Sequence, residues 1–111
     1  MSFLDKLFGK SKQNPDDVMR MTLRQQGDNG TKVRSVEHLA YFKTMDSTQA
    51  FMDFVLANGY TLDNSNHEFG VKFVREAAVV GSTFESELSM LRSKVKSLKG
   101  EYESWGSRVT R

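Results

Sequence analysis

Residues 81–100 carry the most restrictive pattern in the chain. Phe84, Leu88, Leu91, Val95 and Leu98 follow one another by alternating steps of four and three, so all five fall on one stripe of an α-helix. Ser82 followed by Glu85 fits a capping box, and Gly100 is the expected stop. A helix with a single apolar stripe has to bury it against a second layer. The remainder of the chain must therefore supply a surface wide enough to receive it.

Strand signals supply that surface. Residues 31–43 (TKVRSVEHLAYFK) are rich in β-branched and aromatic side chains. Their alternation is imperfect: Val33, Leu39 and Tyr41 share one parity, Val36 and Phe42 the other. Both faces partly covered, or a bulge in mid-strand, would account for this. A second helix opens at Met45-Asp46-Ser47, carries Ala50, Phe51, Phe54, Val55 and Ala57, and closes at Asn58-Gly59. Tyr60-Thr61-Leu62 reads as a short strand, residues 63–66 as a turn-rich connector, and residues 69–79 as a third strand with Phe69, Val71 and Phe73 on one face. Residues 101–110 form a last strand with Gly106 inside it. Ahead of all these, Asn14-Pro15-Asp16-Asp17 reads as a helix start, with Val18, Met19, Met21 and Leu23 following and Gly27-Asp28-Asn29-Gly30 as the stop. The order predicts an α+β fold, a ferredoxin-like βαββαβ sandwich with an extra N-terminal helix and its two crossover helices on one face of the sheet. One domain over residues 14–111 is expected, preceded by a flexible amphipathic tail, 1–13. Phe3, Leu4, Leu7 and Phe8 share a helical face in that tail, which suits weak contact with a membrane surface or a partner.

Composition removes several function classes. The 111 residues include no Cys, which excludes disulfide scaffolds and thiolate metal sites. No apolar run approaches the roughly 20 residues a membrane helix needs. Sixteen Lys and Arg against 14 Asp and Glu leave +2, well short of a nucleic-acid-binding tail. His38 and His67 are the two histidines, and no HExxH helix, GxSxG elbow or glycine-rich phosphate loop occurs. Asp63-Asn64-Ser65-Asn66 lacks the spacing, central Gly and terminal Glu of a calcium loop and reads as a turn. The expectation is a cytoplasmic, non-enzymatic protein with no cofactor and no metal.

The βαββαβ order is also that of RNA-recognition domains, which stack bases on aromatics of the third strand. Here that strand reads Glu68-Phe69-Gly70-Val71-Lys72-Phe73-Val74. It has the aromatic-x-aromatic spacing without the basic-Gly-aromatic-Gly opening, which favours Phe69 and Phe73 packing beneath the helices. Arg92, Lys94, Lys96 and Lys99 form a basic cluster with no acid among them, attractive to phosphates but also placed where cations favour the helix dipole. RNA binding through the sheet face and this cluster is the alternative reading.

One further pattern spans nearly the whole chain. Val36-Glu37-His38 precedes a capped helix, Gly59-Tyr60-Thr61-Leu62 follows it, and the long amphipathic helix leads into Glu101-Tyr102-Glu103-Ser104-Trp105-Gly106. This resembles the regulator of ribonuclease E activity B family, whose members have an Ile-Glu-His opening, a Gly-Tyr strand start and a closing Tyr-Asp-Gly-Trp-Gly; Glu103 and Ser104 stand where that family has Asp and Gly. The resemblance implies a ferredoxin-like bacterial protein that regulates RNA metabolism by protein–protein interaction. Its implied partner is ribonuclease E or a related RNA-processing enzyme, which it inhibits. Matching by motif gives Glu37, His38, Tyr102, Trp105 and Gly106 as partner-binding residues. Tyr102 and Trp105 differ by an odd number, so a regular strand would put one in the core and the other at the surface, unless a bulge at Gly106 breaks the parity.

Overall fold

The computed structural model describes residues 15–63 and 69–111. The expected tail at 1–13, the Asn14 cap, and residues 64–66 of the connector lie outside these. Three helices and four strands follow in the order α1 (Pro15–Gln25), β1 (Arg34–Tyr41), α2 (Met45–Ala57), β2 (Thr61–Asp63), β3 (Gly70–Ala77), α3 (Ser82–Ser97) and β4 (Glu101–Ser107). The sheet order is β2-β3-β1-β4 with every neighbouring pair antiparallel, the ferredoxin-like arrangement the element order implied.

One face of the sheet is covered and the other is open. Val36, His38, Ala40 and Phe42 point towards the helices and are buried, while Glu37, Leu39 and Tyr41 point away. Phe51 and Val55 of α2 and Leu91 and Val95 of α3 meet Ala40, Val71 and Phe73 in one apolar cluster. Leu23 of α1 and Phe84 and Leu88 of α3 meet Val36, Val79 and Trp105 in a second. The imperfect alternation of the first strand thus resolves as one fully covered face and one half-covered face. Val33 takes no part, being 65% exposed and outside the strand.

Several local readings are corrected. The first, third and last strands are shorter than their sequence signals, because Thr31, Lys32 and the residues after Ser107 serve in loops. Phe73, by contrast, packs beneath the helices as its strand pattern favoured: it is wholly buried and stacks on His38, so it presents no platform to a base. The capping box at α3 does not form: Gly81 is the N-cap without a side-chain bond, and Glu85 turns to Arg20 of α1 instead. At the other end Lys99 adopts the left-handed conformation expected of Gly100. Gly100 is required for another reason, since a Cβ there would lie 2.5 Å from the Phe42 ring and 2.6 Å from the Tyr41 carbonyl.

The parity expectation for Tyr102 and Trp105 also fails. Leu39 pairs with Ser104 but Ala40 pairs with Tyr102, so Glu103 is an extra residue, a bulge. The bulge lies at Glu103 rather than Gly106. It turns Tyr102 and Trp105 to the same, helix-covered face, opposite Ala40 and His38.

Candidate functional site

Two adjacent rungs of the β1–β4 ladder gather four of the motif-matched residues. His38 pairs with Trp105 on the covered face, and Glu37 pairs with Gly106 on the open face. Tyr102 joins the first pair by placing its hydroxyl 2.6 Å from His38 Nδ1. These residues therefore meet in space, but on opposite sides of the sheet.

The covered side is a polar seam between the two apolar clusters. The His38 imidazole is fully enclosed, stacked on Phe73 with ring centroids 5.0 Å apart. Its Nε2 faces Glu87 Oε1 at 3.9 Å, too far for a hydrogen bond, and is a buried polar atom without a partner. Glu87 accepts the hydroxyl of Tyr60. Burial, with the nearby Arg92 charge, lowers the His38 pKa to about 4, so the ring is neutral near pH 7. Burial likewise raises both tyrosines well above the usual phenol range. Near neutrality the enclosed His38 ring is therefore uncharged and both tyrosines keep their protons.

Trp105, 4% exposed, is held by α1. Its indole Nε1 donates to Asp16 Oδ1 at 2.7 Å, and its ring meets Phe84 edge-on at 5.1 Å. Asp16 also accepts two bonds from Arg92, at 2.9 and 2.8 Å. Burial alone would raise the Asp16 carboxyl, but the bonds from Arg92 and Trp105 outweigh it and hold the group below its ordinary value. Sequence reasoning placed Asp16 only in the first turn of a helix. Asp28, Arg34 and Glu87 were missed altogether. Asp28 sits among turn formers, and no local signal marks its burial.

The basic cluster on α3 is divided among different tasks. Arg92 is spent on Asp16 and lies 4.9 Å from the Tyr102 ring centroid. Lys94 lies 5.2 Å over the Phe54 ring, while Lys96 and Lys99 are exposed. Arg92, Lys94 and Lys96 are on α3, whereas Lys99 lies in the turn after it beside Tyr41 and Glu101, so the cluster as a whole does not share the open sheet face.

The open face is acidic. Glu37, Asp63, Glu76 and Glu101 point outwards with Lys72 among them, a net charge of −3 on a chain of +2. Lys72 is shared, 3.7 Å from Glu37 and 3.5 Å from Asp63. A shallow groove of about 290 Å³ runs over Glu37, Leu39, Lys72, Ser104 and Gly106, with Met19 at its rim. Among the described residues no group of three or more His, Asp or Glu gathers as a metal site, and no helix is long and apolar enough to cross a membrane.

Comparison with curated proteins found no match. A family model described as Regulator of ribonuclease activity B matches residues 15–107, from the first turn of α1 to the last residue of β4. With the βαββαβ sheet, the extra helix and the paired β1–β4 motif all inside that match, the chain belongs to the family of regulators of ribonuclease activity B.

Proposed function

We propose that the protein is a non-enzymatic, cytoplasmic regulator that inhibits RNA cleavage by binding a protein partner, ribonuclease E or a related RNA-processing endonuclease. Family membership supports regulation of ribonuclease activity. The observation that carries the protein-binding reading is the unequal use of the two sheet faces. The His38 ring is sealed beneath the helical layer, whereas Glu37 and Gly106 lie on a broad face that no described helix covers. A surface of this kind offers complementarity to a macromolecule and no enclosed site for a small substrate.

The test is direct. Purified protein is titrated into ribonuclease E cleaving a labelled RNA, with RNA binding by the protein alone measured in parallel. The expected result is a dose-dependent fall in cleavage rate at concentrations where no protein–RNA complex forms. Unchanged cleavage at saturating protein, or inhibition that tracks RNA sequestration, would contradict the reading.

A further inference from the structure

We propose that the open sheet face docks a basic peptide segment of the protein partner, with Glu37 and Glu76 as its anionic contacts and the bare backbone at Gly106 as the floor beneath it. This rests on the protein-binding reading above.

Charge is the first argument. The strand residues of the face carry −3, with Arg108 as a cation at the groove's rim, while the molecule as a whole carries +2, so the strands' acids stand against the overall balance. Such a face attracts cationic peptides and repels phosphates. Glu37 pairs with Val74 and Glu76 pairs with Ser35, which makes the two glutamates diagonal neighbours across β1 and β3. Side chains so placed are about 7–8 Å apart, a spacing at which one guanidinium or ammonium can sit between two carboxylates. Glu76 has no cationic partner among the described residues, and Glu37 has only the more distant Lys72. Glu101 extends the acidic surface along β4, opposite Tyr41.

Shape is the second argument. Gly106 is not in the left-handed region, and a Cβ added to it would meet only Met19 Cε at 3.9 Å, an ordinary contact. Neither backbone nor packing within the described fold requires glycine there. Its bareness instead keeps the floor of the groove open beside Glu37. A wider groove of about 670 Å³ continues past the same two residues towards Ser35 and Ser107, with Arg108 at its rim. A segment lying over Gly106 therefore has room for its backbone to approach the sheet closely. The exposed parts of Leu39 and Val74 offer apolar contact for the stems of Lys or Arg side chains.

The test uses the full chain and a fluorescently labelled arginine-rich peptide, read by anisotropy. Wild-type protein should bind the peptide and lose affinity as salt rises. The double variant E37K/E76K should weaken binding at least about tenfold. G106L, which fills the floor without touching charge, should weaken it as well, while K96E/K99E, which adds acids outside the four strands, should not weaken it. Tryptophan emission unchanged from wild type shows that each variant is folded. The same variants are run in the ribonuclease assay. No peptide binding, or full affinity in E37K/E76K, overturns the acidic-face proposal, and it does so alone if wild-type protein still inhibits cleavage. Loss of inhibition in the wild-type protein itself overturns the functional reading instead. Peptide binding abolished by K96E/K99E, or preferential binding of an RNA oligonucleotide, assigns the surface to the helical layer and contradicts the proposal.

Discussion

Asp28 ties its own turn and the start of β1 to the far end of the chain at Thr110. Its carboxylate accepts Arg34 Nη1 and Nη2 at 2.9 and 2.7 Å, the Gly30 amide at 2.9 Å and the Thr110 amide at 2.8 Å. These bonds, those of Arg34 first, hold its pKa far below the ordinary carboxylate range despite burial. The pair is fully desolvated, so removing one partner strands a buried charge. Arg34→Met should cost about 3–5 kcal/mol, read as a lower urea midpoint at unchanged slope. His38 gives a pH signature of the same origin. Its folded pKa of about 4 lies below the unfolded 6.5, so the unfolded chain binds more protons in between. Stability contributed by the neutral ring is complete above pH 6.5 and falls as pH drops towards 4, by up to about 3 kcal/mol. His38→Gln should flatten the pH dependence of stability in that window, measured by urea unfolding across the range. The sequence marked His38 through its motif, but neither its enclosure nor the Asp28 pair could be read there. The enclosure of His38 depends on contacts across long separations, and Asp28, only six residues from Arg34, looks like any turn aspartate.

At the scale of elements, periodicity was the reliable signal and end chemistry the unreliable one. The stripe from Phe84 to Val95 is buried as spaced, because apolar area dominates where a helix lies. The capping box lost to a competing partner, since the Arg20 guanidinium offers Glu85 a charge-assisted bond. The decisive departure is the bulge. With Glu103 as the extra residue, β4 turns both Tyr102 and Trp105 onto the covered face, against a strict period of two. Deleting Glu103 should remove the bulge, leaving Tyr102 and Trp105 two residues apart and both still on the covered face. Trp105 is the only tryptophan, so its emission should stay unshifted in the deletion variant, and a red shift would contradict Glu103 as the extra residue. Asp16→Ala isolates the α1 clasp. It leaves the Trp105 indole and Arg92 without their acceptor and should cost about 1–3 kcal/mol in urea unfolding.

Across the whole molecule, the element order was enough to predict the sandwich, and the family match agrees with the resemblance of the Val36–His38 and Tyr102–Gly106 motifs. The grouping of those motifs was legible; their division between two faces was not, because it depends on the register of β4 against β1. The covered half, His38, Tyr102 and Trp105, maintains the interior. The open half, Glu37 and Gly106, is the part we propose a partner meets. The most direct measurement is a backbone amide NMR titration of isotope-labelled protein with its ribonuclease partner. The account predicts shifts concentrated at Glu37, Leu39, Val74, Glu76, Ser104 and Gly106, with Lys94, Lys96 and Lys99 undisturbed. A footprint centred on those three lysines, with the sheet face silent, would contradict it.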